Sequence, residues 1–299
     1  MPRRGPGSRV PDGNREEIRA MKKNPVMLFV PGSRKEFLEK AARFEPDAVI
    51  IDLEDAVAIH LKEKVRGEIA EVIPSVQMPC IVRVNNEPQY LEKDLEAVVS
   101  GHIFGIMLPK VESLENLREV EAILSRLERE RGLAPDSVKL LIMIETALGV
   151  IRCFELASAL RRTYSVVCSS GEEGDLQTNL NCAFSGLYYS RAKILLDSRA
   201  AGARCILDGV WSNIKDEEGL QRDCVHSKEL GYDGRLLIYP KHISIARRVY
   251  SPSPEVLAYY ERMLKAFEEA EAQGLAAVTF EGQMIDYATI KKARAILQS

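Results

Sequence analysis

The sequence predicts an α/β fold, a (β/α)8 barrel followed by a C-terminal helical extension, and three observations carry that prediction. Short apolar runs recur with starts about 30 residues apart, helix-like segments separate them, and most of the runs end on polar or charged residues. Strand-like runs alternating with helical patterns are the rhythm of repeated βα units. Polar groups gathered at the carboxyl ends of parallel strands are where such barrels place their chemistry. A chain of 299 residues accommodates one barrel, which takes ~250 residues. A doubly wound open sheet is the alternative, because periodicity alone does not close a sheet.

Taken in order, the strand-like runs cover residues 26–30, 48–53, 80–84, 105–108, 138–144, 165–168, 204–207 and 235–239. Between them, residues 114–131 place Leu114, Leu117, Val120, Ile123, Leu124 and Leu127 on one helical stripe with charges between them, and Gly132 supplies a stop. Residues 186–202 form a second long helical candidate. After residue 250 the rhythm changes: Ser251-Pro-Ser-Pro254 punctuates the chain, 255–273 reads as an amphipathic helix, 275–280 as a short strand and 286–297 as a last helix. The expected organisation is a mobile basic tail over 1–24, with Arg3, Arg4, Arg9 and Arg15 among Pro and Gly, a barrel over 25–250 and an extension over 251–299. The extension is too short to build a core of its own cheaply, so it should pack on the barrel or on a neighbouring subunit.

Composition removes several function classes. A net charge of −3 gives no reason to expect nucleic acid as a partner. No apolar run reaches the ~18 residues of a membrane span. Cys80, Cys153, Cys168, Cys182, Cys205 and Cys224 contain no CxxC pair and no zinc-type histidine spacing, so they read as reduced thiols of a cytoplasmic protein. The chain lacks GxSxG, HExxH and P-loop motifs. His60, His102, His226 and His242 show no nucleophile pattern and read as structural.

The stretch 140–150, LLIMIETALGV, organises the functional reading. Its apolar run fits a parallel strand covered on both faces, and Glu145 then stands at the strand's carboxyl end. Asp175, in the loop after the sixth run, is the second acid that can hold a divalent cation with it. Carboxylates without Cys or His suit Mg²⁺, which takes its remaining ligands from water and substrate. The competing reading pairs Glu145 with an arginine such as Arg83 and makes Asp175 a loop cap. Arg83 follows an apolar strand and cannot lose its charge, so it needs an anion: a substrate carboxylate or enolate oxygen, or an internal partner among Asp52, Glu54 and Glu145. Of Asp52, Glu54 and Asp55, alternation does not let all three face the site, and Glu54 is favoured. Ser33, Arg34, Lys62 and Arg66 surround the first two βα loops and suit phosphates, against the plainer reading of solvated surface charges.

These segments also carry a resemblance. FVPGSR (29–34), DLEDAV (52–57) followed by Lys62 and Arg66, VRVN (82–85), IMLPKVES (106–113), IETALGV (144–150), DLxxxL (175–180) and SRAAGA (198–203) resemble, in order, the citrate lyase beta-subunit and malyl-CoA lyase family of HpcH/HpaI aldolase-type CoA ester lyases. The resemblance runs from about residue 26 to 297. It implies a TIM barrel, Mg²⁺, and making or breaking of carbon–carbon bonds in 3-hydroxyacyl-CoA thioesters by a homotrimer or homohexamer. It implies Glu145 and Asp175 as metal ligands and Arg83 as the group that binds the 2-oxoacid or polarises the thioester carbonyl. Glu54 would orient water at the metal, and Arg34 and Lys62 would lie near the CoA. Gly282-Gln-Met-Ile-Asp286 resembles the family's tail motif, whose aspartate reaches a neighbouring subunit's site.

Two departures bear on substrate preference. The family's FG-x-x-D is here Ser170-Gly-Glu-Glu-Gly-Asp175, one residue longer, so Glu172 or Glu173 competes with Asp175 for the metal. The family's IHP-x-Q is here Ile238-Tyr-Pro-Lys-His242. The expected reaction is retro-Claisen cleavage of a malyl-, citramalyl- or citryl-type thioester to an acyl-CoA and a 2-oxoacid. The alternatives are a malyl-CoA thioesterase or malate synthase activity, and a non-autonomous subunit that binds an acyl thioester, on CoA or an acyl carrier protein, inside a lyase complex.

Overall fold

The protein is described by a computed structural model over residues 21–297. The expected tail over 1–24 falls outside the described residues as far as residue 20; beyond it, Met21 packs against the barrel interior and Lys22 Nζ lies 2.7 Å from Asp47. The barrel strands are β1 (Val26–Pro31), β2 (Ala48–Asp52), β3 (Cys80–Arg83), β4 (Gly105–Leu108), β5 (Lys139–Ile144), β6 (Thr163–Cys168), β7 (Cys205–Asp208) and β8 (Gly234–Leu237). They lie in chain order, pair in parallel and close through β1 and β8, with Met27 opposite Leu236. Closure of that ladder removes the open-sheet alternative.

The helices that cover the strands are α1 (Glu36–Ala42), α2 (Lys62–Val72), α3 (Pro88–Val98), α4 (Leu114–Glu130), α5 (Ala147–Ile151), α6 (Cys153–Ser158), α7 (Asp175–Leu180), α8 (Tyr188–Ala200), α9 (Glu217–Leu230) and α10 (His242–Tyr250). Residues alternate along each strand: Met27, Ile50, Ile81, Met107, Leu141 and Leu236 fill the barrel interior, whereas their neighbours Leu28, Ile51, Val82, Leu140 and Leu237 join the core under the helices. The predicted stripe on α4 is buried from Leu117 to Leu127, Ser113 caps its start, and Gly132 at φ +66° follows its end. The eighth strand stops at Leu237, short of the expected Tyr239, because the chain turns into Pro240, which has no N–H for a ladder.

The extension comprises α11 (Pro254–Glu271), β9 (Ala277–Phe280), β10 (Gln283–Asp286) and α12 (Tyr287–Leu297). The extension, expected to be too short to build a core of its own cheaply, gathers one small buried cluster, Met263, Phe267, Ile285, Ile290 and Ala293. The single expected strand is one arm of an antiparallel hairpin, closed by Glu281 and Gly282 at φ +45° and +80°. Asp286 ends the second arm and does not begin a helix. Lys23 Nζ donates to the Ala295 carbonyl at 2.5 Å, tying the extension to the chain just before β1. Among the described residues no helix is long and apolar enough to cross a membrane, and all six cysteines are free thiols.

Candidate active site

Strand parity selects the residues that face the barrel mouth. Interior Ile50 puts Asp52 inward, interior Ile81 does the same for Arg83, and interior Leu141 and Met143 carry Glu145 inward one step beyond the end of β5. Asp52, Asp55, Arg83, Glu145, Glu173 and Asp175 line one cavity of about 450 Å³ with an apolar floor of Met143, Val167 and Leu236. A larger groove of about 600 Å³ lies elsewhere, between α1 and the segment 72–78. Size does not make it the site, because it lacks this convergence of charge.

Arg83 is the hub. Its Nε and Nη2 donate to Asp52 Oδ1 and Oδ2 at 2.8 and 2.6 Å, a bidentate fork. Its Nη1 lies 3.0 Å from Glu54 and 3.2 Å from Asp55, and its guanidinium stands 5.0 Å from the Phe29 ring centroid. Glu54 receives a hydrogen bond from Lys110 Nζ at 2.7 Å, while Oε2, though near Arg83, has no partner in hydrogen-bond geometry. The Lys110 ammonium also lies 3.4 Å from Asp175. Its backbone N–H donates to Glu145 at 2.7 Å. This double use requires the turn at Lys110, which has φ +53°.

The β5 end is held from below. Thr146 caps α5 by accepting from Gly149 N–H, and its hydroxyl donates to Glu112 at 2.8 Å. Gly149 is needed there because a Cβ would stand 2.8 Å from the Val111 carbonyl oxygen.

The charge balance is unusual. Among the described residues, Asp52, Glu54, Asp55 and Asp175 pair with two cations, Arg83 and Lys110, and Glu145 lies in the same cavity as Arg83. Burial raises the Glu54 carboxyl to about 7, although Arg83 and Lys110 pull the other way; Asp55 and Glu145 push it further up. Burial likewise raises Glu145, against the Lys110 N–H and Arg83. Burial works against the charge on Lys110, yet Glu54, Asp55 and Asp175 hold its affinity for a proton above the ordinary value. Such a surplus of carboxylate fits a divalent cation. Among the described residues no three Asp, Glu, His or Cys side chains converge as a closed metal cage.

The other predicted residues fall as follows. Arg34 is exposed on the loop after β1, paired with Glu36 at 2.8 Å. Lys62 is buried, and its ammonium donates to the Leu53 and Glu54 carbonyls and to Asn85, so it is not presented to a phosphate. Arg66 is likewise buried against Asp94 at 2.6 Å. Glu173, at φ +59°, lines the cavity with Asp175, whereas Glu172 is exposed and absent from its lining. Asp286 sits on the extension, where Oδ1 accepts from Thr289 N–H and hydroxyl; those bonds hold its carboxyl below the usual range. His242 is buried, its Nε2 3.3 Å from the Ile214 carbonyl. Lys110 lies within the segment 106–113, and its reach to Glu54 and Asp175 is set by the fold and not by any local pattern.

Comparisons with known proteins bear on the family and the fold. The family model of the HpcH/HpaI aldolase/citrate lyase family matches residues 25–240. The citrate lyase subunit beta of Leuconostoc mesenteroides subsp. cremoris is 31% identical, over 91% of this chain and 92% of its own. A (3S)-malyl-CoA thioesterase of Cereibacter sphaeroides is 34% identical, over 91% and 92%. Among solved structures, CitE of Mycobacterium tuberculosis in complex with magnesium, acetoacetate and coenzyme A superimposes with a TM-score of 0.73 at 31% identity, covering 92% of this chain and 97% of that one.

Proposed function

Because the chain belongs to the HpcH/HpaI aldolase/citrate lyase family, we propose that it is a Mg²⁺-dependent carbon–carbon lyase. Its substrate is a 3-hydroxyacyl-CoA thioester of the malyl, citramalyl or citryl type, cleaved to an acyl-CoA and a 2-oxoacid. The observation that carries this reading is the pair Glu145 and Asp175 lining the same barrel-mouth cavity as Arg83. The magnesium, acetoacetate and coenzyme A bound by the 31% identical CitE support the cofactor and the thioester class.

Glu145 and Asp175 hold the cation. Bound there, Mg²⁺ supplies Lewis-acid polarisation of substrate oxygens. Cleavage breaks the bond between C2 and C3: the 3-hydroxyl gives up its proton, C3 becomes the 2-oxoacid carbonyl, and the electron pair passes into the acyl-CoA enolate, which is then protonated at C2. Arg83, with Nη1 directed toward the cavity acids, meets the carboxylate or the developing enolate charge. Lys110 and Arg83 keep Glu54 in place, and its titration near neutrality suits it to hold or orient a proton there. Arg34 lies outside the mouth, exposed, for the CoA phosphates.

Asp286 of a neighbouring chain is the proposed acceptor of the hydroxyl proton. It stands on a hairpin that also displays Met284 with 75% exposure, and the barrel wall exposes Leu148, Ile151, Phe154, Tyr189 and Leu196. Those apolar side chains support a homotrimer or homohexamer.

The test is turnover by the purified protein of malyl-CoA and citramalyl-CoA with Mg²⁺, with products resolved by mass. Glu145→Gln and Asp175→Asn should abolish turnover and weaken Mg²⁺ binding while circular dichroism stays unchanged. Unaltered Mg²⁺ affinity in both variants would overturn the metal assignment. Tight CoA binding without cleavage of any hydroxyacyl-CoA would favour a subunit of a larger complex. A second reading, thioester hydrolysis coupled to the enolate chemistry, draws on the 34% identical malyl-CoA thioesterase. It would yield free malate and CoA in place of an acyl-CoA.

A further inference from the structure

Outside the barrel mouth, the most deeply buried charges lie behind β7. Asp208 follows interior Leu207 and therefore points outward, into the layer between strands and helices. It is fully buried, as is Arg235 on β8. Arg191 of α8 donates to Asp208 Oδ2 and, at 2.9 Å, to Asp223 of α9; Arg235 Nη2 lies 2.5 Å from Asp223 and its Nη1 4.0 Å from Asp208. Two guanidiniums and two carboxylates thus cancel, and the quartet joins β7, β8, α8 and α9. Such a group is costly to break, since removing one member strands the opposite charge in the interior.

The quartet uses only one side of Asp208. Its other oxygen, Oδ1, accepts from the Ser170 hydroxyl at 2.5 Å and from Gly209 N–H at 3.1 Å. Ser170 is 1% exposed and begins the loop that ends at Asp175. The preceding Ser169 lines the same cavity as Glu145. Gly209 meets the same loop so closely that a Cβ would stand 2.6 Å from Ser170 N and 2.9 Å from Gly171 N. Further along, Gly174 N–H returns to the Gly171 carbonyl at 3.0 Å, which bends the chain into α7 at Asp175. The loop is therefore clamped at its start by one buried carboxylate and one glycine, and from that start it runs to Asp175 along the cavity that Ser169 and Glu145 also line.

We propose that Asp208 is a positioning residue: held by Arg191 and Arg235, it fixes the 169–175 loop through Ser170, and so fixes Asp175 where it can share a divalent cation with Glu145. The inference rests on the metal reading above. The experiment separates the two by calorimetric Mg²⁺ titration of wild type, Asp175→Asn, Ser170→Ala and Gly209→Ala, each checked for thermal unfolding without metal. Ser170→Ala leaves the ion quartet whole and removes only the link. Loss of one hydrogen bond to a charged group predicts Mg²⁺ affinity about 10-fold weaker, with kcat recovered at saturating Mg²⁺ and the half-saturating Mg²⁺ concentration raised by the same factor. Gly209→Ala should weaken Mg²⁺ binding from the other side of the contact. Wild-type affinity in both Ser170→Ala and Gly209→Ala, with binding lost in Asp175→Asn, would overturn the positioning role and leave the metal reading standing. Equal affinity in wild type and Asp175→Asn would instead remove the metal reading, and the positioning role with it.

Discussion

Replacing Glu54 by glutamine should change the pH dependence of stability in a direction the structure dictates. The Glu54 carboxyl is raised from 4.5 to about 7 by its burial. Below pH 4.5 it is protonated in both folded and unfolded chains and contributes nothing to the difference between them. Between the two values the folded state binds more protons than the unfolded state, so stability falls as pH rises, and the loss is complete above the folded value. Between pH 5 and pH 8 a shift of this size amounts to about 2–3 kcal/mol. Glutamine keeps the shape of the protonated form and does not titrate. The stability of Glu54→Gln relative to wild type should therefore improve by about 2–3 kcal/mol from pH 5 to pH 8. Urea unfolding in EDTA at both pH values measures the gap directly. A gap that stays constant across that range, or one that moves in wild type's favour, would refute the burial argument and assign Glu54 a permanently ionised role beside Lys110 and Arg83.

Arg83→Lys retains the charge but loses the fork to Asp52, so kcat/KM should fall by about 100-fold or more; near wild-type kcat/KM would make Arg83 an internal ion-pair residue only. Arg162 is buried and ion-paired with Glu121, Glu128 and Asp136 at 2.6, 2.9 and 3.3 Å. Arg162→Met should cost about 3–5 kcal/mol in urea unfolding by stranding Glu128, and a loss under 1 kcal/mol would show that the acids find other compensation. Mixing Asp286→Ala with Glu145→Gln under subunit exchange should restore part of the activity if sites are shared between chains. No rescue after exchange is verified would place Asp286 outside the site.

The barrel was legible because its two periods are both explicit. Runs such as 140–144 are apolar throughout, as a strand buried on both faces must be, and 114–131 shows its helical stripe without interruption. The inward direction of Asp52, Arg83 and Glu145 follows from the same alternation, once the register is known. What the sequence conceals is which charge each ion chooses. Lys62 and Arg66 look alike to Arg34 in a string of letters, yet the first two are buried against Asn85 and Asp94, whereas Arg34 stays in solvent. Lys110 shows the converse: its reach across the mouth to Glu54, 56 positions away, depends on a positive φ that no local pattern announces. The β9–β10 hairpin was half visible because its second arm runs straight into α12 at Tyr287, with no break in the sequence to separate strand from helix.

The two charge clusters at the carboxyl end of the barrel differ in a way that bears on how the site works. Behind β7 and β8, Asp208, Asp223, Arg191 and Arg235 balance, and they lie buried where no ligand could alter them. In the mouth, carboxylates outnumber cations, and Glu54 is left with a proton affinity near neutrality. A balanced buried cluster resists displacement and serves as an anchor. An unbalanced one holds its acids at a cost that a bound cation relieves, so ion binding and folding become linked. The contact from Asp208 to Ser170 joins the two, transmitting the rigidity of the neutral quartet to the loop that ends at Asp175.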